Sequence, residues 1–120
     1  MPQMTKELCI NIVGIDKGIR FAGMADRMGK LVAFAYRQGL QPLLTKEESE
    51  LSVMQSLLRM GMRKTMEDRL GRTVYAFALY EKVKRATLPL DDGAILLLSF
   101  DIEANHEPII LLKILPLLKS

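Results

Sequence analysis

The sequence is poor in the residue types that carry most side-chain chemistry: it has one cysteine, Cys9, one histidine, His106, and no tryptophan. A single cysteine excludes a disulfide within the chain and is typical of a reducing cytosol. The three tyrosines and four phenylalanines fall mostly in strand-like runs, so they do not form a platform for stacking bases. The net charge of +3 is small for a nucleic-acid binder. The sequence therefore argues against nucleic acid as a partner.

Long hydrophobic runs are also missing. Even "IILLKILPLL", near the end of the chain, is half the roughly 18–20 residues that a membrane-spanning helix needs. The N-terminal "MPQMTKEL" lacks the pattern of a signal peptide. With 49% hydrophobic and 26% charged residues, the composition is that of a globular protein. We expect one soluble, cytoplasmic domain over residues 1–120, with no membrane contact.

The first third of the chain predicts a helix followed by a β-hairpin. Leu8, Ile12 and Ile15 recur at helical spacing, which predicts a helix over residues 3–15, although the β-rich "CINIV" leaves a strand as the alternative. The runs "IRFAGMA" and "KLVAFAYR" flank the turn signal "DRMG", the pattern of a β-hairpin. The following "QGLQPLL" reads as a loop.

A long helix is predicted over Thr45–Leu70. Thr45 and Glu48 form a capping box, and Gly71 is a natural stop. The helix carries two neighbouring apolar stripes, one of Leu51, Met54, Leu58 and Met62, and one of Val53, Leu57 and Met60. Together they are wider than one contact needs, so one stripe should face the sheet and the other a partner. The sequence does not say which stripe faces outward, and plain core packing of both remains an alternative.

The rest of the chain predicts strands and a last helix. The strands are "TVYAFAL", "KVKRATLPL" and "AILLLSFD", with turns at residues 80–82 and 91–93. The first and third strands are apolar on both faces, which predicts that both faces of the sheet are covered. The last helix begins near Asn105 and should dock between the sheet and the first helix. The predicted class is α/β (α+β), a five-stranded antiparallel sheet flanked by helices on both faces, in the order α-β-β-α-β-β-β-α.

This order, with the "FAGMADRMGKLVAFA" hairpin and one long crossing helix, resembles the roadblock/longin domains. The runs "LSVMQSLLRMGMRKTMEDRLG" and "YEKVKRATLPL" also resemble a family of uncharacterised archaeal proteins. The roadblock likeness implies a homodimeric or heterodimeric scaffold that often works beside small GTPases. It implies that the Thr45–Leu70 helices pair and that Thr73–Leu79 joins sheet to sheet. PAS and GAF sensor domains share much of this strand order.

The candidate interaction residues follow from these features. The candidate interface consists of Met54, Leu58, Met62, Val74, Ala76 and Ala78. Arg59, Arg63 and Lys64 form a candidate partner-binding basic patch, although cations near a helix C-terminus also complement the helix dipole.

Chemistry has less support. Cys9 and His106 are the only residues for a Cys–His pair, and Asp101, Glu103, His106 and Glu107 the only cluster resembling metal ligands. Neither GxxxxGK[ST] nor GxGxxG occurs. We expect no enzyme activity and no cofactor. The sequence predicts a dimerisation and interaction domain that regulates a small GTPase or another signalling partner; a PAS- or GAF-like small-molecule sensor is the alternative.

Overall fold

The computed structural model describes residues 3–119. Its elements are α1 (Lys6–Val13), β1 (Ile19–Ala25), β2 (Leu31–Tyr36), α2 (Lys46–Arg63), α3 (Glu67–Leu70), β3 (Ala76–Leu79), β4 (Val83–Pro89), β5 (Ile95–Asp101), α4 (His106–Pro108) and α5 (Leu115–Lys119). The strands form one sheet in the order β2-β1-β5-β4-β3, and each neighbouring pair is antiparallel. The predicted class and element order are confirmed.

Helices cover both faces of the sheet, and β5 lies at its centre. On one face Val53 and Met60 of α2 pack on Leu97 of β5. On the other face α1 and the C-terminal helices pack on Leu96 and Leu98. Successive side chains of β5 therefore enter two separate cores, which is why this strand reads as a continuous apolar run.

The N-terminal helix is confirmed but shorter than predicted. Thr5 is its N-cap, because the Thr5 side chain accepts a hydrogen bond from the backbone of Leu8 at 3.1 Å. The helix ends at Val13, and Gly14 is its C-cap. The alternative of a strand over "CINIV" is wrong, because Cys9 and Ile12 lie on one buried helical face.

The long helix begins as predicted but is not continuous to Leu70. The Thr45 hydroxyl accepts from Glu48 N at 3.1 Å, and Thr45 N donates to the Glu48 carboxylate at 2.9 Å. The α-helix ends at Arg63 and is followed by a 3₁₀ turn over Lys64–Met66. There the Thr65 hydroxyl donates to the Met62 carbonyl at 2.9 Å, a side-chain bond of the kind that bends helices.

The predicted strand over residues 73–79 forms only at Ala76–Leu79. Ala76 lies opposite Thr87, so the same register would set Val74 opposite Pro89, whose nitrogen has no hydrogen to donate. The prediction that both faces of the sheet are covered is confirmed, but β3 is the least covered strand. Phe77 is 39% exposed and Leu79 67% exposed, since β3 lies at the edge of the sheet.

The C-terminal segment is confirmed as a docked helix. From α4 the chain runs through a π-helical stretch, Ile109–Ile114, into α5; we call these three pieces the terminal helix. Ile110 and Ile114 are fully buried in one core with Ile12 of α1. Asn105 precedes the helix, but its side chain makes no capping hydrogen bond. Within residues 3–119, no helix is both long and apolar enough to cross a membrane.

Candidate functional site: the exposed side of α2 and the edge strand β3

The structure separates the two apolar stripes of α2. Val53 and Met60 are almost fully buried against the sheet. The other stripe faces outward, with exposed fractions of 58% for Leu51, 45% for Met54, 66% for Leu58 and 72% for Met62. A row of large apolar side chains exposed on one helix face is typical of a surface that a partner covers. The Leu51–Met62 row, which we call the outer stripe, is therefore the main candidate contact surface.

The edge strand β3 adjoins this helix. It is the last strand of the sheet and pairs with β4 along one side only. The segment Ala76–Leu79 contains no charge, proline or glycine, the features that natural edges use to prevent pairing. Ala78 is exposed and Ala76 half-buried, while the predicted interface residue Val74 is exposed and precedes the strand. The free side of β3 is therefore open to another strand.

A small cleft of about 50 Å³ opens between α2 and strands β3 and β4. Arg59 and Arg63 of α2 and Arg85 of β4 line it, and we call this the cationic cleft. Arg85 is held in place because its Nη2 donates to Ser52 Oγ at 2.6 Å. Ser56, only 4% exposed, also lines the cleft. Within residues 3–119, Asp101 forms ion pairs with Arg20 and with Arg37. The guanidinium groups of Arg59, Arg63 and Arg85 form no ion pair with a carboxylate of those residues.

Lys64 does not join the other two predicted basic residues. It lines a separate open groove of about 540 Å³ on the other flank of α2, together with Met54, Leu58 and the turn between β4 and β5. The structure therefore does not bring Arg59, Arg63 and Lys64 together in one cleft, because a helix turns by about 100° between neighbouring residues. Arg59 and Arg63 converge, and Arg85 takes the place of Lys64.

Cys9 is not prepared for nucleophilic chemistry. It is fully buried in the core that α1 forms with the sheet, and burial raises the pKa of its thiol to about 11. At neutral pH such a group is a protonated, inert thiol, whereas a nucleophilic cysteine needs a lowered pKa. Cys9 therefore acts as a small buried side chain.

His106 has a packing role that the sequence does not predict. Its ring stacks on Phe77 of β3, with centroids 4.0 Å apart and planes 7° apart. Its Nδ1 is buried and has no hydrogen-bond partner among residues 3–119. Burial is the main cause that lowers the pKa of His106, Lys84 lowers it further, and Glu107 partly opposes them. His106 thus ties the terminal helix to the edge strand.

The acidic residues near the end of β5 do not form a metal site. Asp101 accepts hydrogen bonds from Arg20 at 3.3 Å and from Arg37 at 2.6 Å, so its charge is already compensated. The Arg37 hydrogen bond is the first cause of the lowered pKa of Asp101. Residues 3–119 contain no group of three or more histidine, cysteine, aspartate or glutamate side chains that could hold a metal ion.

The space between α2 and the sheet is filled rather than hollow. Val53, Leu57 and Met60 pack there on Ile95 and Leu97. Small-molecule pockets are usually concave cavities of ~300–1,000 Å³ that enclose the ligand. The cationic cleft is far smaller, and the groove beside Lys64 lies on the outer surface rather than between the layers. The packing therefore gives no support to a sensor domain that holds a ligand between helix and sheet.

A second exposed apolar surface lies at the opposite edge of the sheet. The rings of Phe21, Phe34 and Tyr36 cluster on β1 and β2, with centroids 4.9 to 6.4 Å apart. Phe34 is 47% exposed and Tyr36 38% exposed. The sequence indicates that these aromatics fall in strand-like runs, but their clustering on one exposed face was not predicted. The alternation of Phe34 and Tyr36 with Ala33 and Ala35 along β2 was the sequence signal for this cluster, since it indicates a strand that places its aromatic side chains on one face.

Arg85, Ser52 and Ser56 were also missed as a group. The two serines are four residues apart on the buried side of α2, where apolar residues would be expected. Small polar side chains at that spacing were a sign that a polar group of the sheet approaches the helix there. Only the sheet register shows that this group is Arg85, opposite Ser99 and Ala78 on the face that α2 covers.

Comparison with known proteins identifies the fold. Neither a protein-family model nor a curated protein matches the sequence. Solved structures do match: a Roadblock/LC7 domain from Streptomyces avermitilis has a TM-score of 0.69 at 10% identity, covering 96% of this chain and 98% of that one. MglB of Myxococcus xanthus has a TM-score of 0.70 at 17% identity, covering 95% and 91%. An MglB with a tetrameric arrangement has a TM-score of 0.66 at 18% identity, covering 88% and 76%. The chain therefore has the roadblock/longin-like fold that its element order predicts.

Proposed function

We propose that the chain is a single roadblock/longin-like domain of the cytoplasm that forms a homodimer and acts as a non-catalytic scaffold for a small GTPase or another signalling protein. The outer stripe of α2 carries this proposal. Its four large apolar side chains are between 45% and 72% exposed, although the same helix buries a second stripe on its own sheet. A second copy is a natural partner because one surface then satisfies both subunits.

The free edge of β3 supports the same surface. Two β3 strands that pair across a two-fold axis would extend the sheet into the second copy and cover Phe77 and Leu79. Such a contact would be stabilised by main-chain hydrogen bonds between the two strands and by the burial of apolar side chains. Each large apolar side chain that becomes fully buried contributes roughly 1.5–3 kcal/mol to the free energy of association. Val74, Ala76 and Ala78 are the proposed edge contacts; Met54, Leu58 and Met62 are the proposed helix contacts.

The GTPase partner rests on likeness alone. The roadblock likeness implies work beside small GTPases, and two structural neighbours are MglB proteins, one of them described as having a tetrameric arrangement. The same small domain can bind a second copy and another protein at once. If β3 is covered by a second copy, the exposed aromatic cluster on β2, at the opposite edge of the sheet, remains free for the other protein. The likeness to a family of archaeal proteins stays a prediction from the quoted sequence runs, and it implies no particular function.

Native mass spectrometry of the purified protein tests the proposal. Homodimerisation predicts twice the subunit mass with no added small molecule. A monomer that retains small-molecule mass would instead favour the sensor. The GTPase part is tested by binding of nucleotide-loaded small GTPases from the same source to the immobilised protein. If none binds at micromolar concentration, the scaffold has another partner.

A further inference from the structure

We propose that the cationic cleft is a binding site for a phosphoryl group, supplied either by a free phosphate ion or by a phosphorylated side chain of a partner protein. The cleft opens between α2 and strands β3 and β4, and Arg59, Arg63 and Arg85 line it. Every group that would contact the anion belongs to one chain. The inference therefore does not need the proposed self-association.

The three arginines reach the cleft from two different elements. Arg59 and Arg63 lie four residues apart on α2, so they share a face of that helix, whereas Arg85 belongs to β4. Basic residues near a helix C-terminus complement the helix dipole, which accounts for Arg59 and Arg63 alone. Because Arg85 is not part of the helix, the dipole does not explain why it lines the same cleft.

The positive charge of the cleft is not compensated within the described part of the chain. None of the three guanidinium groups forms an ion pair with a carboxylate of residues 3–119, whereas Asp101 pairs with Arg20 and Arg37. Like charges that line one small cleft repel one another, and an anion between them replaces this repulsion by attraction. The empty cleft therefore favours the binding of an anion.

Arg85 is held in position before a ligand binds. Its Nη2 donates to Ser52 Oγ at 2.6 Å, and Ser52 is only 7% exposed. A guanidinium group carries five N–H donors, of which this hydrogen bond uses one. The planar fork of an arginine binds two oxygens of an oxyanion with parallel hydrogen bonds. Since Ser52 already restrains Arg85, less side-chain entropy is lost when the anion binds.

The size of the cleft and its donors favour a phosphoryl group among the oxyanions. The volume of about 50 Å³ is several times the ~10–15 Å³ that one water needs, so the cleft admits a phosphoryl group but not a nucleoside. A phosphorylated side chain carries about −1.5 to −2 charges and three acceptor oxygens, which suits three guanidinium groups better than the single charge of a carboxylate does. Ser56, Tyr80 and Thr87 also line the cleft, and their side chains carry hydroxyl donors.

Titration of the isotope-labelled protein with inorganic phosphate, followed by NMR at constant ionic strength, tests the inference. We expect saturable shifts in the last turns of α2 and in β4. Acetate should bind at least about tenfold more weakly, because a carboxylate makes fewer charged hydrogen bonds. A tripeptide with a central phosphoserine is the second probe. Tighter binding of the peptide than of phosphate would assign the site to a phosphorylated partner, and affinity no tighter than that of phosphate would assign it to the free ion.

Variants of the arginines test which side chains hold the anion. Arg59→Gln with Arg63→Gln should weaken phosphate binding at least about tenfold, and both side chains are exposed, so the fold should be unaffected. Arg85→Lys keeps the charge but loses the fork, so it should bind phosphate several-fold more weakly. The matched control, Lys6→Gln with Lys113→Gln, removes the same charge as the double arginine variant from exposed positions of α1 and the terminal helix and should bind as the wild type does.

Three results would overturn the inference. The first is the absence of a saturable shift at the cleft in millimolar phosphate. The second is acetate binding as tight as phosphate binding, which would make the cleft a carboxylate site. The third is an equal loss of affinity in the lysine control, which would make the effect one of overall charge. Each of these results leaves the proposed self-association standing, because it is measured separately by subunit number.

Discussion

The Arg37 guanidinium donates two hydrogen bonds to the Asp101 carboxylate, at 2.6 and 3.1 Å. Arg37 follows β2 and Asp101 ends β5, so this pair joins an edge strand to the centre of the sheet across β1. Arg37 also donates to the Lys17 carbonyl at 2.8 Å, and Arg20 of β1 binds the same carboxylate. One carboxylate thus holds three parts of the chain together at one end of the sheet.

Asp101→Asn should lower the free energy of unfolding by about 1–2 kcal/mol at pH 7, because hydrogen bonds to a charged group contribute ~1.5–3 kcal/mol and this pair is partly exposed. Since the folded-state pKa of Asp101 is lowered, its contribution is fully present above the unfolded value near 3.8 and is lost as the pH falls through the folded pKa. Urea unfolding at pH 7 and below pH 4, at equal protein concentration, measures this. A wild-type advantage that stays the same in acid would contradict the role of the charge.

The pattern of the sequence predicted element types better than element ends, for local reasons. The capping box at Thr45 and the turn at residues 91–93 are short-range signals, and both are found in the structure. The end of α2 at Arg63 and the start of β3 at Ala76 depend instead on the Thr65 hydroxyl bond and on the opposing Pro89. Those contacts form only in the folded chain, so the periodicity of apolar residues along the sequence does not predict them.

Leu58→Glu should dissociate the dimer, because it places a charge at the most accessible central position of the outer stripe. Leu58 is 66% exposed in the single chain, so the fold should be unaffected. Met54 is a less clean choice, since its sulfur lies over Gly29 of the β1–β2 turn. Size-exclusion chromatography with light scattering reports the mass.

Two matched variants control for this result. Leu112→Glu adds the same charge to a 72% exposed leucine of the terminal helix and should leave the dimer intact. Phe34→Glu alters the aromatic cluster at the opposite edge of the sheet. Loss of the dimer in Phe34→Glu but not in Leu58→Glu would assign the contact to β2 instead.

Ala76→Pro should weaken association and increase aggregation, because proline disturbs the start of the edge strand and cannot donate to a second strand. In the wild type, amide hydrogen exchange of residues 76–79 should slow as the protein concentration rises through the association range. Fast exchange of the whole segment at every concentration would exclude pairing through β3.

The stability of the protein should fall between pH 7 and pH 5 through His106. Because burial lowers its folded-state pKa below the usual value of 6.5, its contribution is present above 6.5 and is lost as the pH falls toward the folded pKa. His106→Phe keeps a ring against Phe77 and should flatten this dependence. Thermal unfolding across pH 5–7 measures it. Equal pH slopes in both proteins would show that the histidine does not titrate differently in the folded state.

Truncation after Asn105 should give an insoluble or molten protein. The terminal helix buries Ile109, Ile110, Ile114 and Leu118 in the core shared with α1. At roughly 1.5–3 kcal/mol for each fully buried side chain, their loss is comparable with the ~5–15 kcal/mol stability of a typical domain. A soluble truncated protein with an unchanged melting temperature would mean that the helix is a detachable tail.

The candidate site was less predictable than the fold. Helical spacing identified both stripes of α2, but only the packing shows that Val53 faces the sheet and Leu58 faces outward. The cationic cleft depends on Arg85, which is 22 residues from Arg63 along the chain and reaches α2 through the register of β4 with β3 and β5. Such a non-local convergence has no signature in the spacing of the basic residues.

Sedimentation velocity of the wild-type protein over nanomolar to micromolar concentrations tests the central claim most directly. The account predicts a concentration-dependent shift from one to two subunits, and a weaker shift at high salt if charges contribute to the contact. Leu58→Glu should remain at one subunit across the same range. A wild-type protein that sediments as a single subunit at every concentration would contradict the account.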